Sequence, residues 1–253
     1  MADSTELALL TYLARHTRDA PALLVATARL ELLDVEPTWG TGLGAQTTLP
    51  LEPLTDDDAR TLAELLVVGI DPEKLVDVAG GNPLFLEELA ASVAERGDEK
   101  LPVTVREAIA ARIDALPTAA RDALLSAAVI GKTFWRGILE TVGSIDGVDE
   151  ALAVLEARDF VRRDSSSQVA GEAQFTFKHM LIREVSYATV PRALRRERHA
   201  AVARYIEERL VGEALATILA YHWREAGEPT RAVPYLLSAA DAARRGWGQE
   251  RCD

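Results

Sequence analysis

Two short segments of alternating character lie beyond the middle of the chain, Phe160-Val161-Arg162-Arg163 and Phe175-Thr176-Phe177. A polar turn rich in Ser and Gly, from Asp164 to Ala173, separates them. Short alternating runs are typical of half-buried β-strands, and a turn of this composition joins two such strands as a hairpin. The pattern therefore predicts a β-hairpin over residues 160–177.

Three helical patterns precede this hairpin. Thr104 and Glu107 form a capping box, whose side-chain oxygens accept hydrogen bonds from backbone N–H groups at a helix start, and Thr118 opens the next helix. Apolar residues recur at helical spacing in the three segments: Ile109, Ile113 and Leu116, then Leu124, Leu125 and Val129, then Val148, Leu152 and Leu155. Three helices followed by a hairpin is the order of a winged helix, which we predict over residues 101–190.

The N-terminal part of the chain has a different pattern. Ala22-Leu23-Leu24-Val25-Ala26-Thr27 is a continuous apolar run, which suits a strand buried on both faces of a parallel α/β sheet. Thr47-Thr48-Leu49-Pro50-Leu51 is a second strand-like piece, whose proline favours an edge or an end. Two strands do not complete an α/β domain. We therefore expect residues 1–54 to be a remnant of such a domain in a mostly α chain.

The remaining segments are predicted to be helical. Within residues 55–100, Gly80-Gly81 ends one helix, and Asn82-Pro83 supplies the N-cap and first position of the next. Residues 191–253 end in two helices joined by Gly227-Glu228-Pro229, a pattern that resembles a tetratricopeptide-like hairpin. Because roughly three repeats are needed for a stable stack, this hairpin either packs on the preceding helices or belongs to an interrupted solenoid.

Composition and charge exclude several classes of protein. No apolar run reaches the roughly 18 residues that cross a bilayer, and the first residues lack the basic start of a signal peptide, so we expect a cytoplasmic protein without membrane contact. The single cysteine, Cys252, excludes an internal disulfide framework and a cysteine-based zinc site. Forty acidic against 28 basic residues give a net charge of −12, which repels nucleic acid unless a local basic face overrides it.

The sequence contains no recognised pattern for catalysis or metal binding. The histidines have no metal-ligand spacing; they are His16, His179, His199 and His222. No Gly-x-Ser-x-Gly motif occurs. Gly131-Lys132-Thr133 matches the tail of a phosphate-binding P-loop, but Ser126 stands where that loop needs its first glycine, and the preceding residues predict a helix. We therefore predict no catalytic residue and no metal site, and interpret Gly131 as a helix end.

Six strings stand in the order that one known family has: Leu23-Leu24-Val25-Ala26-Thr27-Ala28-Arg29, Leu51-Glu52-Pro53-Leu54, Gly80-Gly81-Asn82-Pro83-Leu84-Phe85-Leu86-Glu87-Glu88-Leu89, Leu101-Pro102-Val103-Thr104-Val105, Ala127-Ala128-Val129-Ile130-Gly131 and Phe175-Thr176-Phe177-Lys178-His179-Met180-Leu181-Ile182-Arg183-Glu184-Val185. They resemble the STAND-type signal-transduction ATPases. These are the AAA-like predicted ATPases attached to class III adenylate cyclases and to LuxR-type transcriptional regulators. The resemblance covers nearly the whole chain, and the Gly-Asn-Pro-Leu-Phe string is its most specific part.

The resemblance implies a domain order. Residues 1–54 correspond to the C-terminal remnant of a P-loop ATPase domain, 55–100 to a helical lid, 101–190 to the winged helix, and 191–253 to the start of a tetratricopeptide-like sensor.

It also implies a nucleotide-binding set. Arg29 matches the family's sensor arginine at the γ-phosphate end, and a planar guanidinium suits phosphate. Asn82 and Pro83 match the lid motif that packs against the base and sugar. His179 resembles the histidine that contacts ADP phosphate in the closed state. The implied cofactor of the intact family is ATP or ADP with Mg²⁺.

One departure limits what the resemblance implies. The family's P-loop and its acidic Walker B strand precede the region that matches this chain, and neither is in the sequence. Without the P-loop amides, the lysine and the Mg²⁺ ligands, phosphoryl transfer has no machinery, so we do not expect hydrolysis by this chain alone. We expect a fragment of a nucleotide-regulated switch for a cyclase or transcriptional output, with protein partners at its C-terminal helices.

Two other functions stay open at this stage. The first is a winged-helix DNA-binding regulator, although the candidate recognition helix, Val148 to Arg158, is acidic, which is unfavourable in a phosphate-lined groove. A basic segment follows the hairpin: Arg192, Arg195, Arg196, Arg198 and Arg204, balanced by Glu197, Glu207 and Glu208. We do not expect DNA binding through this segment.

The second alternative function is a nucleotide-independent scaffold. Its C-terminal hairpin would form a partner groove with Tyr221, Trp223, Tyr235 and Trp247.

Overall fold

The computed structural model describes residues 4–17, 20–28, 32, 36, 37, 39, 40, 43, 47–67, 71–96, 101–167, 169, 171–209 and 215–249. These residues are mostly α-helical, as the sequence predicts, with one small sheet. The chain divides into two units, Met1–Glu52 and Pro53–Asp253.

The first unit contains helix α1, Ser4–His16. The strands predicted at 22–27 and 47–51 are wrong, since both segments are irregular. Their apolar side chains face solvent: Leu23 is 87% exposed, Val25 79% and Leu51 92%. A strand forms only when a neighbouring strand pairs with its backbone, and the described residues of this unit supply none.

The second unit opens with three helices: α2, Asp56–Leu66; α3, Pro72–Ala79; and α4, Pro83–Arg96. Thr55 caps α2 by accepting a hydrogen bond from the Asp58 N–H at 3.2 Å, and Asp71 caps α3 in the same way through Glu73. Gly80 ends α3 in the left-handed conformation, at φ 56°, which glycine adopts without steric cost. The buried faces of the three helices form a first core with Leu75, Leu86 and Leu89 at its centre.

A second core follows, built on α5, Val105–Asp114; α6, Thr118–Ile130; α7, Arg136–Gly143; and α8, Val148–Ala157. The Thr104 hydroxyl caps α5 as predicted, accepting from the Glu107 N–H at 3.1 Å. α5 belongs to both cores, because Ala108 lies in the first and Ile109 in the second.

The sheet has three antiparallel strands in the order β1-β3-β2: β1 is Thr133–Trp135, β2 is Val161–Arg163 and β3 is Gln174–Phe177. The predicted hairpin is confirmed, with Val161 opposite Phe177. Sequence reasoning missed β1, which pairs Phe134 with Phe175. A strand of three residues is too short to show a period.

Helices complete the unit: α9, Met180–Thr189; α10, Arg192–Arg209; α11, Ala216–Ala226; and α12, Pro229–Gln249. α11 and α12 form a helical hairpin. α11 ends at Gly227, which has the left-handed conformation at φ 86°. Trp223 of α11 is buried, and its indole N–H donates to Glu207 of α10 at 2.7 Å. The Tyr235 hydroxyl of α12 donates to the same carboxylate at 2.6 Å, so the hairpin packs on α10.

Within the described part of the chain, no helix is both long enough and apolar enough to cross a bilayer.

Candidate functional site

The residues Asn82 and Pro83 open helix α4. The Asn82 side-chain oxygen accepts a hydrogen bond from the Phe85 N–H at 3.1 Å, and its carbonyl accepts from the Leu86 N–H at 3.0 Å. Pro83 occupies the first helical position, where its missing N–H costs nothing. Both side chains are exposed, so the start of α4 is open to a ligand.

The approach to α4 requires glycine at position 81. Gly81 has φ 72°, and its carbonyl accepts a hydrogen bond from the Leu54 N–H at 2.8 Å. A Cβ placed there would lie 2.7 Å from the Leu54 carbonyl oxygen and 2.8 Å from Pro53 Cβ. Two of the strings that carry the family resemblance are therefore in direct contact, which fixes how the chain enters α4.

His179 lies against α4 as well. It is the N-cap residue of α9, and its ring Nε2 lies 3.6 Å from Glu87 Oε2, in the second turn of α4. This Nε2 atom is buried and has no hydrogen-bond partner among the described residues. The structure thus places His179 against the second turn of α4, the helix that Asn82 and Pro83 open.

Lys178 is a site residue that sequence reasoning missed. Its ammonium group lies 3.8 Å from Glu87 Oε2 and 3.4 Å from Asp159 Oδ2. In the sequence, only its position next to His179 could have indicated its role, because its partners Glu87 and Asp159 come from distant segments. The side chains of Lys178 and His179 are each about one-third exposed, although His179 Nε2 itself is buried.

The cluster offers hydrogen-bond donors to a small oxyanion, although two carboxylates, Glu87 and Asp159, lie beside them. No side chain caps the first turn of α9, and the N–H groups of a helix N-terminus carry partial positive charge. Lys178 and the buried His179 nitrogen add donors beside it. Among the described residues, no group of three or more His, Cys, Asp or Glu side chains is arranged to hold a metal ion.

A buried ionic network lies beside the cluster, at the residue after Glu87. Glu88 of α4 accepts a hydrogen bond from Arg112 of α5, and both side chains are almost fully buried. The Arg112 guanidinium also donates to the Arg158 carbonyl and lies 4.6 Å from the centre of the Phe160 ring. Glu95 of α4 lies 3.6 Å from the Arg112 guanidinium. Burial raises the pKa of Glu95, although the charges of Arg112 and Arg158 act to lower it. This network joins the first core to the second.

Gly131-Lys132-Thr133 has the opposite context to a P-loop. α6 ends at Ile130, and β1 begins at Thr133, so the order is helix, loop, strand. The Lys132 carbonyl accepts a sheet hydrogen bond from the Phe177 N–H at 3.1 Å. A P-loop instead connects a strand to a helix N-terminus. The interpretation of Gly131 as a helix end is confirmed.

Arg29, the remaining predicted nucleotide contact, lies outside the described residues. Some arginines of the basic segment in α10 make contacts within the protein. Arg195 stacks over the Tyr187 ring at 4.3 Å and donates to the Val190 carbonyl at 3.0 Å. Arg198 is buried.

Comparisons of the chain with protein-family models and with curated proteins give no match.

Proposed function

We propose that this chain is the regulatory part of a STAND-type signal-transduction ATPase, a switch that responds to ATP or ADP and does not hydrolyse ATP by itself. The observation that carries the proposal is the contact between His179 and α4, the helix that Asn82 and Pro83 open. The family resemblance implies that these residues approach the same nucleotide. Lys178 and His179, which are distant from α4 in the chain, both lie beside Glu87 of that helix.

The arrangement of elements supports the implied domain order. Helices α2 to α4 share one core, as a helical lid does. The order α6-β1-α7-α8-β2-β3, with the sheet order β1-β3-β2, supports a winged helix after the lid. The α11 and α12 hairpin supports a tetratricopeptide-like sensor.

The exposed apolar segments of the first unit support a nucleotide-binding sheet completed by other strands. Leu23, Val25, Leu49 and Leu51 are at least 77% exposed, although their composition suits buried strands. In a P-loop ATPase such segments pair with the strands that carry the phosphate loop and the Mg²⁺ ligands. Those elements would supply the hydrolytic chemistry with Mg²⁺.

The partners that we propose are proteins, bound at the C-terminal helices. α12 exposes Val233, Leu236 and Leu237, whose i, i+3, i+4 spacing places them on one face. The candidate recognition helix α8 uses Asp149 in an ion pair with Arg136 at 2.8 Å. This supports a winged helix that makes contacts within the protein rather than with DNA. A salt-dependent shift of duplex DNA at micromolar protein would favour the DNA-binding alternative instead.

Equilibrium dialysis with labelled ADP tests the proposed function. We expect the chain to bind ADP in the millimolar range, and His179→Ala and Asn82→Ala each to weaken binding several-fold. His16→Ala, on the exposed face of α1, serves as the matched control and leaves binding unchanged. No ADP binding at millimolar concentration would instead support the nucleotide-independent scaffold.

A further inference from the structure

We propose that Lys178 is a second phosphate ligand beside His179, and that the Glu87 carboxylate occupies the phosphate position when phosphate is absent. The inference rests on the proposed nucleotide function and adds two residues to it. Lys178 is a second phosphate ligand, and Glu87 is an internal competitor built into the lid helix α4.

The geometry shows a carboxylate that is held loosely by two donors. Glu87 Oε2 lies 3.6 Å from His179 Nε2 and 3.8 Å from Lys178 Nζ. Both separations are longer than a hydrogen bond between charged groups, about 2.7–2.9 Å. His179 Nε2 is nevertheless buried and lacks a hydrogen-bond partner, and an unpaired buried polar atom is costly. A phosphate oxygen placed between the two donors would satisfy both.

The start of α9 adds a second source of positive potential. His179 caps this ten-residue helix only through its backbone, since its side chain makes no capping hydrogen bond. The first N–H groups of α9 therefore add to the attraction of Lys178 for an oxyanion. The Glu87 carboxylate on the facing helix α4 already interacts with this positive potential.

Charge balance makes Glu87 an inhibitor of phosphate binding. Lys178 faces two carboxylates, Glu87 and Asp159, so its positive charge is more than balanced before a phosphate arrives. A phosphate must displace Glu87 or bear its repulsion. When Glu87 leaves, the ion pairs that join α4 to the start of α9 are lost. Phosphate binding and this α4 contact therefore exclude one another, and the coupling is reciprocal.

Isothermal titration of the full chain with inorganic pyrophosphate, ADP and adenosine tests the inference. Glu87→Gln removes the competing charge and keeps the side chain's size. We expect it to tighten pyrophosphate and ADP binding by about the same factor, roughly tenfold for one charge removed near 4 Å, and to leave adenosine unchanged. The additional substitution Lys178→Met removes this gain.

The matched control is Glu184→Gln, which removes a similarly exposed carboxylate from α9, where it pairs with Arg106 at 3.0 Å. It should leave pyrophosphate affinity within twofold. Asp159→Asn is the second variant, for use if Glu87→Gln fails to fold, and should give a smaller gain because Asp159 contacts Lys178 alone. Asparagine also tolerates the left-handed backbone at this position, φ 57°.

Two outcomes separate the inference from the proposed function. If Glu87→Gln tightens pyrophosphate binding but ADP binds no better than pyrophosphate, the phosphate site stands and the nucleotide function fails. If the native chain prefers ADP but neither Glu87→Gln nor Asp159→Asn changes pyrophosphate affinity beyond the control, the nucleotide function stands and the inference is overturned.

Discussion

His199 Nδ1 lies 2.8 Å from His222 Nδ1, at the buried junction of α10 and α11. On the far side of His199, Nε2 lies 2.9 Å from the Tyr187 hydroxyl of α9. One set of neutral tautomers satisfies both links: Tyr187 donates to His199, and His199 donates to His222. The chain of hydrogen bonds ties three helices together, α9, α10 and α11.

This chain of hydrogen bonds makes the fold sensitive to acid. Burial lowers the pKa of His199 to about 4 and that of His222 to about 3, with Arg183 adding to both shifts. Each histidine takes up a proton near pH 6.5 only when the protein unfolds. The contribution of the two neutral histidines to the free energy of unfolding is therefore fully present above pH 6.5. It declines as the pH falls from 6.5 toward 4.

Urea unfolding at pH 7.5 and at pH 5 measures the effect. The difference in proton binding predicts a loss of about 2 kcal/mol for each histidine between these pH values. His16→Gln is the control, since His16 lies on α1 outside the network, and it should show the same loss as the native chain. A stability independent of pH over this range would contradict the neutral, buried assignment.

Tyr187→Phe removes the first donor of the network and leaves the ring in place. His199 Nε2 then becomes a buried acceptor without a partner, which costs about 1–3 kcal/mol. Tyr221→Phe is the matched control, because Tyr221 packs edge-on against the same His199 ring at 5.6 Å and its hydroxyl makes no hydrogen bond with the residues that the structure describes. Chemical denaturation should show a clear loss for Tyr187→Phe and less than about 0.5 kcal/mol for Tyr221→Phe.

Local signals in the sequence predicted local structure well. The helix starts at Thr55, Asn82 and Thr104 depend on contacts within one turn, so a few residues contain all the required information. The strands predicted at 22–27 and 47–51 failed because a strand depends on a partner elsewhere. For the same reason β1 was missed, since pairing with β3 creates it.

The candidate site was predictable only in part. Asn82, Pro83 and His179 were named from the family resemblance, and no periodicity or spacing placed them near each other. Glu87 and Lys178 were missed as partners because their contact joins α4 to the distant segment between β3 and α9. In sequence, Glu87 and Glu88 look alike as charges on a helix. The structure separates them, since Glu87 faces the partly exposed Lys178 and His179 and Glu88 faces a buried arginine.

Gly81→Ala should disturb the entry to α4 more than Gly80→Ala. Both glycines have positive φ, so alanine is strained at either position, by about 1 kcal/mol. At Gly80 a Cβ meets open space, whereas at Gly81 it meets the Leu54 carbonyl and Pro53. We expect Gly80→Ala to cost about 1 kcal/mol and Gly81→Ala about 3 kcal/mol, measured by urea unfolding. Equal effects would mean that the Pro53-Leu54 segment yields freely.

Arg112→Met tests the junction of the two cores. The substitution leaves Glu88 as a buried carboxylate without its partner, a change that typically costs about 3–5 kcal/mol. Arg106→Met on the same helix breaks an exposed ion pair with Glu184 and should cost less than about 1 kcal/mol. Because a buried pair contributes little beyond a well-packed apolar pair, the double variant Arg112→Met with Glu88→Met should recover most of the loss. Persistent destabilisation in the double variant would show that Arg112 stabilises the junction mainly through the Arg158 carbonyl and Phe160.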